Sequence, residues 1–222
     1  MISWQEKTRI LLKRLPDHGL LIGLGAAVGA LLFFAWLADE VLEGDTRYFD
    51  EQVRLLIHQA AAPLLTALME AVTMLGAPWV LLALACCAVL GFLRAGWRRA
   101  AALLLVTMAG AALLNLVLKM SFHRTRPISF FDTPLPTSYS FPSGHAMLAF
   151  CFYGVLAALL TARLSARPAR MMIWIGATIL IVLVGISRVY LGVHYPSDVL
   201  AGYAGALVWV LTVVLGDRIL QR

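Results

Sequence analysis

The sequence predicts an all-α, polytopic membrane protein with six transmembrane helices, both termini in the cytoplasm and an active site at the outer face. Three observations carry that reading. Of 222 residues, 61% are hydrophobic and only 14% charged, too apolar for an ordinary soluble domain of this length. Six runs contain no charge, at residues 19–38, 71–93, 100–118, 146–162, 171–186 and 199–215, and a helix that crosses a bilayer needs about 20 apolar residues, with roughly 17 to 25 tolerated. The segments between the runs alternate between basic and not basic, which orients the bundle.

Taken in order, residues 1–14 mix Trp4, Ile10, Leu11 and Leu12 with Lys7, Arg9, Lys13 and Arg14. That pattern suits a cytoplasmic interfacial segment over residues 1–18, with a frayed basic tail as the alternative. The first run is longer than the apolar stretch of about 7 to 15 residues in a secretory leader, so it is read as a retained anchor helix. Residues 39–63 follow as an outer loop rich in Asp39, Glu40, Glu43, Asp45, Asp50 and Glu51, in which Phe49, Val53 and Ile57 recur at helical spacing. An amphipathic helix lying along the outer surface is expected there. Arg94, Arg98 and Arg99 separate the second and third runs, Arg163, Arg167 and Arg170 separate the fourth and fifth, and Arg218 and Arg222 follow the sixth. These segments are placed in the cytoplasm. The fifth run, at 16 residues, borrows a flanking residue or two to span.

The net charge of +6 is therefore a topology signal. No basic stripe with interleaved stacking aromatics exists, so nucleic acid is not an expected partner. Cys86, Cys87 and Cys151 all sit within apolar runs and read as small core residues, implying neither a disulfide nor a metal framework. No internal repeat or linker divides the chain, and residues 1–222 are expected to form a single domain.

The polar residues concentrate in two segments that open on the same side. The first begins at Lys119, reaches Arg126-Pro127 after six intervening residues, and closes with Pro142-Ser143-Gly144-His145 as the fourth run begins. Proline, serine and glycine at a helix start leave backbone N–H groups open to an anion. The second runs from Ser187-Arg188 to His194 and Asp198 at the start of the sixth run. A nucleophilic imidazole needs one nitrogen free and the other held by an acceptor, which a carboxylate four residues away supplies. Lys119, Arg126 and Arg188 come from different helix ends and can converge on one polyanion, a combination that fits phosphoryl transfer. Singly, each has an ordinary reading: a snorkelling lysine, an interfacial arginine, a histidine at a helix mouth, a first-turn acid. Their arrangement on one side is what points to a site.

That three-part pattern resembles the type 2 phosphatidic acid phosphatase (PAP2) superfamily: Lys, six residues, Arg-Pro; then Pro-Ser-Gly-His; then Ser-Arg, five residues, His, three residues, Asp. Every position is present, from Lys119 to Pro127, Pro142 to His145 and Ser187 to Asp198. The resemblance implies that His194 attacks phosphorus to form a phosphohistidine, that Asp198 orients it, and that His145 protonates the leaving oxygen and later activates water. Lys119, Arg126, Ser143, the Gly144 backbone and Arg188 would bind the phosphate. The implied activity is dephosphorylation of a lipid at the inner membrane of a bacterial cell. Phosphatidylglycerol phosphate, phosphatidic acid and undecaprenyl diphosphate are the candidate substrates, and neither metal nor cofactor is expected. A lipid phosphotransferase and a non-catalytic transporter or scramblase are the rival readings. His123 and Arg124 fall at free positions of the motif and are expected as headgroup contacts if they act at all, with Arg124 serving a second phosphate. His18 and His58 read as interfacial, Glu70 as an ionisable residue near the outer end of the second run, and Asp132 as the only other acid in the two catalytic segments. Oligomeric state is left open.

Overall fold

The computed structural model describes residues 18–131 and 136–221. The interfacial segment expected at residues 1–18, apart from His18, and Asp132 lie outside them. The described residues form eight helices: α1 (His18–Glu43), α2 (Arg47–His58), α3 (Pro63–Met74), α4 (Pro78–Arg94), α5 (Arg98–Phe122), α6 (Gly144–Thr161), α7 (Arg167–Tyr190) and α8 (Pro196–Leu220). Five of them, α1, α5, α6, α7 and α8, are each long and apolar enough to cross a membrane. The pair α3 and α4, bent by 49° at its break, is a candidate for a sixth span.

That bend departs from the unbroken second run expected from residues 71–93, and its cause is local. Pro78 has no N–H to continue the ladder and holds Ala77 extended. Gly76 lets the bend press on α7, where an added Cβ would stand 2.3 Å from Val184. The Leu75 carbonyl freed by the break accepts a hydrogen bond from Tyr153 of α6 at 2.9 Å, as backbone at membrane depth must find an internal partner. The fifth run corrects in the other direction. It is no short span, because the helix continues through polar residues from Arg167 to Tyr190.

Helix α6 is the hub, packed against α4, α5, α7 and α8, while α1 lies along α8. Its Phe152, Met147 and Cys151 join Leu81, Leu104 and Val184 in the main core. Lipid takes the other faces, where Leu82, Leu113, Leu116 and Ile179 are exposed. Small residues let the helices approach: at Gly202 of α8 a Cβ would lie 2.8 Å from the Ser143 carbonyl at the head of α6.

Helix α2 shows an inverted face. Its buried residues are Asp50 and Arg54, whereas Tyr48, Phe49, Leu55 and Leu56 are exposed. Ile57 of the Phe49, Val53, Ile57 stripe packs on the core, and α2 is held further by the ion pair of Asp50 with Arg124 and by Arg54 on the Ile128 carbonyl.

Candidate active site

Helix alternation brings the C-termini of α5 and α7 to the same pole as the N-termini of α6 and α8, and α2 covers that pole. Lys119 lies in the last turn of α5, Arg188 in the last turn of α7, His145 in the first turn of α6 and Asp198 in the first turn of α8. His194 and Arg126 come from the connecting segments. Lys119, Arg126, Gly144, His145, Arg188 and His194 all line one cavity of about 310 Å³, which Asn115, Ser138, Leu116 and Pro78 complete. Among the described residues three cations and no carboxylate line this space, so its potential favours an anion.

His194 and Asp198 are both buried. The imidazole Nδ1 meets Asp198 Oδ2 at 3.2 Å. The same carboxylate accepts the Tyr195 amide at 2.9 Å, the Ser140 hydroxyl, and Nη1 of Arg124 at 2.6 Å on its other oxygen. Asp198 is at once the third residue of α8, capping the helix start, and the partner of the histidine. Burial drives the His194 pKa down to about 3, against the hydrogen bond and charge of Asp198, which pull it up. The ring is therefore neutral at physiological pH. Its other nitrogen, Nε2, receives Nη1 of Arg126 at 3.1 Å.

The cations are held by neutral acceptors. Lys119 bonds to the Tyr139 carbonyl and reaches that of Ser140 at 3.4 Å. Arg126 spans the Val193 carbonyl at 2.7 Å and the Ser138 carbonyl at 2.8 Å; burial lowers its pKa, partly offset by Asp198. Arg188 donates to Thr73 at 2.7 Å and keeps Nε unpaired although buried. The buried hydroxyl of Ser143 is also without a partner, and its backbone N–H donates to the Asp198 carbonyl at 2.9 Å, tying the head of α6 to α8. Buried polar groups are almost always satisfied; among the described residues Arg54 Nε and His58 Nδ1 share this state, and of the four atoms Arg188 Nε belongs to a residue that lines the cavity.

Five residues near the site escaped the sequence reading. Asn115 sits one turn before Lys119, with Nδ2 3.4 Å from the Pro142 carbonyl. Asp50 accepts from Arg124 and Ser197, Ser140 donates to Asp198, and Thr73 holds Arg188. Asn115 alone left a signal, a lone amide inside a charge-free run. Arg124 does not line this cavity: its guanidinium bonds to Asp198, Ser197, Asp50 and Thr46. His123 ends α5 in the left-handed region, exposed and against Tyr139. His18 and Glu70 are exposed. His58 stacks on Phe130 at 4.0 Å and locks a loop.

A larger cavity of about 450 Å³ opens deeper in the bundle, between Phe150, Trp174, Tyr203 and Leu207. Its apolar walls offer nothing to a phosphate.

Residues 100–220 match the PAP2 superfamily. The chain is 37% identical over 196 residues to phosphatidylglycerophosphatase B of Bacillus subtilis (strain 168), covering 86% of this chain and 95% of that protein. It is 40% identical over 105 residues to the undecaprenyl-diphosphatase of Sulfolobus acidocaldarius, covering 45% of this chain and 47% of that protein. Among solved structures, the transmembrane PAP2 type phosphatidylglycerolphosphate phosphatase from Bacillus subtilis superposes with a TM-score of 0.81 at 36% identity, over 88% of this chain and 98% of that one. The chain belongs to the PAP2 superfamily, in its bacterial membrane lipid phosphatase branch, and is a phosphatase.

Proposed function

We propose that this protein removes a phosphate from a membrane lipid by way of a phosphohistidine, without a metal ion, at the outer face of the inner membrane. The observation that carries the reading is the cavity itself. Among the described residues Lys119, Arg126 and Arg188 line it with no carboxylate beside them, His194 and His145 stand in its wall, and Arg188 Nε is buried without a partner.

The lipid phosphate binds with its oxygens on Lys119, Arg126 and Arg188, with Ser143 and the first amides of α6 adding neutral donors. His145 takes up a proton together with the anionic phosphate; His194 Nε2 then attacks phosphorus while the bond from phosphorus to the lipid oxygen breaks, and His145 passes that proton to the oxygen as the alcohol leaves. Asp198 stabilises the imidazolium character that develops on His194. In the second half His145, now neutral, takes a proton from water, the water oxygen bonds to phosphorus, and the bond to Nε2 breaks. Phosphate and free His194 result. Three fixed cations around the equatorial oxygens supply the charge that a metal gives other phosphatases. The two buried carboxylates beneath the site, Asp50 and Asp198, are already committed to Arg124, Ser197 and His194.

Orientation follows from charge. Arg94, Arg98, Arg163, Arg167 and Arg218 gather at the pole opposite the site, which the positive-inside rule assigns to the cytoplasm. The whole chain, residues 1–222, is read as one domain built around this site. The cavity's lower wall is apolar, with Leu148 buried and Leu116 exposed to lipid. An acyl chain leaves sideways between α4 and α5 while the headgroup stays with the cations. The similarity over 95% of phosphatidylglycerophosphatase B puts phosphatidylglycerol phosphate first among the substrates to try, ahead of undecaprenyl diphosphate and phosphatidic acid.

The test is phosphate release by the purified, detergent-solubilised protein and its His194→Ala variant, over a panel of lipid mono- and diphosphates with EDTA present. Release by the parent and none by the variant is expected. Turnover abolished by EDTA and restored by Mg²⁺ sinks the metal-free mechanism. Labelled acceptor lipid in place of free phosphate makes the protein a phosphotransferase instead.

A further inference from the structure

Asp50 lies outside the three-part motif and Arg124 at one of its free positions, and neither lines the phosphate cavity, yet together they back the catalytic pair. Asp50 is fully buried, at 0% exposure. Its Oδ1 accepts the Ser197 amide at 2.9 Å, and Oδ2 accepts the Ser197 hydroxyl at 2.6 Å and Nη2 of Arg124 at 2.7 Å. Ser197 is the second residue of α8, so one of the unpaired amides at the start of that helix is capped by a side chain from α2. The other arm of Arg124 reaches Asp198 Oδ1 at 2.6 Å and Ser197 Oγ at 2.8 Å. Tyr195 covers the guanidinium, 4.2 Å from ring centroid to Cζ.

We propose that Asp50 and Arg124 are positioning residues for the His194 and Asp198 pair, which makes α2 a working part of the reaction machinery. The argument is one of charge sharing, and it rests on the phosphohistidine reading above. Two buried carboxylates share one guanidinium, so the group carries one net negative charge, and Asp198 presents it to His194. Without the charge on Asp50, Arg124 pairs with Asp198 alone. Asp198 is then neutralised by an arginine when it should be stabilising the cation that forms on His194 during attack. The fork geometry of Arg124 also fixes which oxygen of Asp198 faces the imidazole, a bidentate task that a lysine does not perform.

The experiment compares Asp50→Asn, the double variant Asp50→Asn/Arg124→Gln and His194→Ala, all full-length in detergent. Phosphate release gives kcat and KM, and the rise in melting temperature on adding inorganic phosphate reports the anion site separately. Asp50→Asn keeps the acceptor for the Ser197 amide but loses the charge. Its kcat is expected to fall about 10- to 100-fold, the range for outer-shell partners of functional histidines. KM should stay within about threefold and the phosphate-induced shift should be intact. The double variant again leaves one net negative charge at Asp198, and it should regain part of the lost kcat.

Parent-like kcat in Asp50→Asn, a joint loss of kcat and the phosphate shift, or a double variant no better than the single one overturns the proposal. If Asp50→Asn does not yield folded protein, Arg124→Lys is read in the same assays. It should show reduced kcat with unchanged KM and phosphate shift, and parent-like kcat there overturns the proposal equally. An active His194→Ala would defeat the phosphohistidine reading and this proposal with it. An inactive His194→Ala beside a parent-like Asp50→Asn defeats this proposal alone.

Discussion

Arg126 places Nη1 3.1 Å from Nε2 of His194, the ring nitrogen that Asp198 leaves free. A guanidinium only donates, so Nε2 bears its lone pair and the ring proton sits on Nδ1, facing Asp198. That is the tautomer the proposed attack by His194 requires. The cation that marks this lone pair also lines the phosphate cavity, so an arriving phosphate oxygen and Nε2 compete for the same donor. Transfer of that donor to the oxygen frees the lone pair as the phosphate settles.

Arg126→Ala should therefore lose both a phosphate donor and the guide for the imidazole. Removing one such donor costs about 10²- to 10³-fold in rate, and kcat/KM for phosphate release is expected to fall by at least that much. Arg126→Lys should recover little, because an ammonium does not span the Val193 carbonyl, the Ser138 carbonyl and the imidazole as the planar fork does. Steady-state kinetics on the two variants decide the point, and a lysine variant within threefold of the parent contradicts it.

The His194 ring should not titrate near neutrality. Its pKa is pushed down to about 3 by burial, below the roughly 6.5 of a free imidazole. The unfolded chain then binds more protons than the folded one between pH 3 and 6.5, so the stability due to this residue is complete above 6.5 and declines as pH falls through that window. With [¹³Cε1]-histidine labelling, the resonance missing from His194→Ala should stay fixed from pH 5 to 8. A midpoint between 6 and 7 for that resonance would show that the folded ring protonates like an exposed one.

The spans were legible because bilayer crossing is a matter of length and charge, both of which one sequence displays. The break at Gly76 and Pro78 was hidden by the same criterion, since a charge-free run looks continuous even where proline interrupts its hydrogen bonds. Which side of α2 packs inward was not legible either, since its stripe is split: Phe49 is exposed while Ile57 packs on the core, and the buried positions are Asp50 and Arg54. Lys119, Arg126, His145, Arg188 and His194 were legible as a group because the motif keeps short, fixed spacings, and they do share one cavity. Asp50 was not, because its partners Arg124 and Ser197 lie 74 and 147 residues away, distances that carry no local pattern.

Asn115 supports the phosphate turn from below. Its Nδ2 donates to the Pro142 carbonyl, and its Oδ1 would stand 2.9 Å from a Cβ added at Gly144. In Asn115→Leu the carbonyl is left buried without that partner, a loss of about 1–3 kcal/mol, and the Ser143 and Gly144 turn is free to shift. The variant should melt at a lower temperature in detergent and release phosphate more slowly, with Asn115→Gln intermediate. Unchanged melting and unchanged kcat in Asn115→Leu would reduce this amide to a bystander.

Gly192 determines how closely the Ser129 and Phe130 segment lies over the turn that carries His194. Its φ of +70° belongs to the left-handed region, which costs a residue with a Cβ roughly 1–2 kcal/mol. The added Cβ would also stand 2.8 Å from the Phe130 nitrogen and 3.2 Å from the Ser129 Cα. Backbone cannot yield there without moving, since Ser129 donates to the Leu191 carbonyl and Arg54 holds the Ile128 carbonyl at 2.7 Å. Gly192→Ala should therefore displace the turn two residues before the nucleophile. A fall in kcat of more than about tenfold is expected from a misplacement of this kind, together with a lower melting temperature. Placing the same substitution at Gly154, where an added Cβ meets nothing within 4 Å, provides the control that should leave both quantities unchanged. A Gly192→Ala variant that behaved like the Gly154 control would mean that the strap over this turn is free to rearrange and does not hold His194 in place.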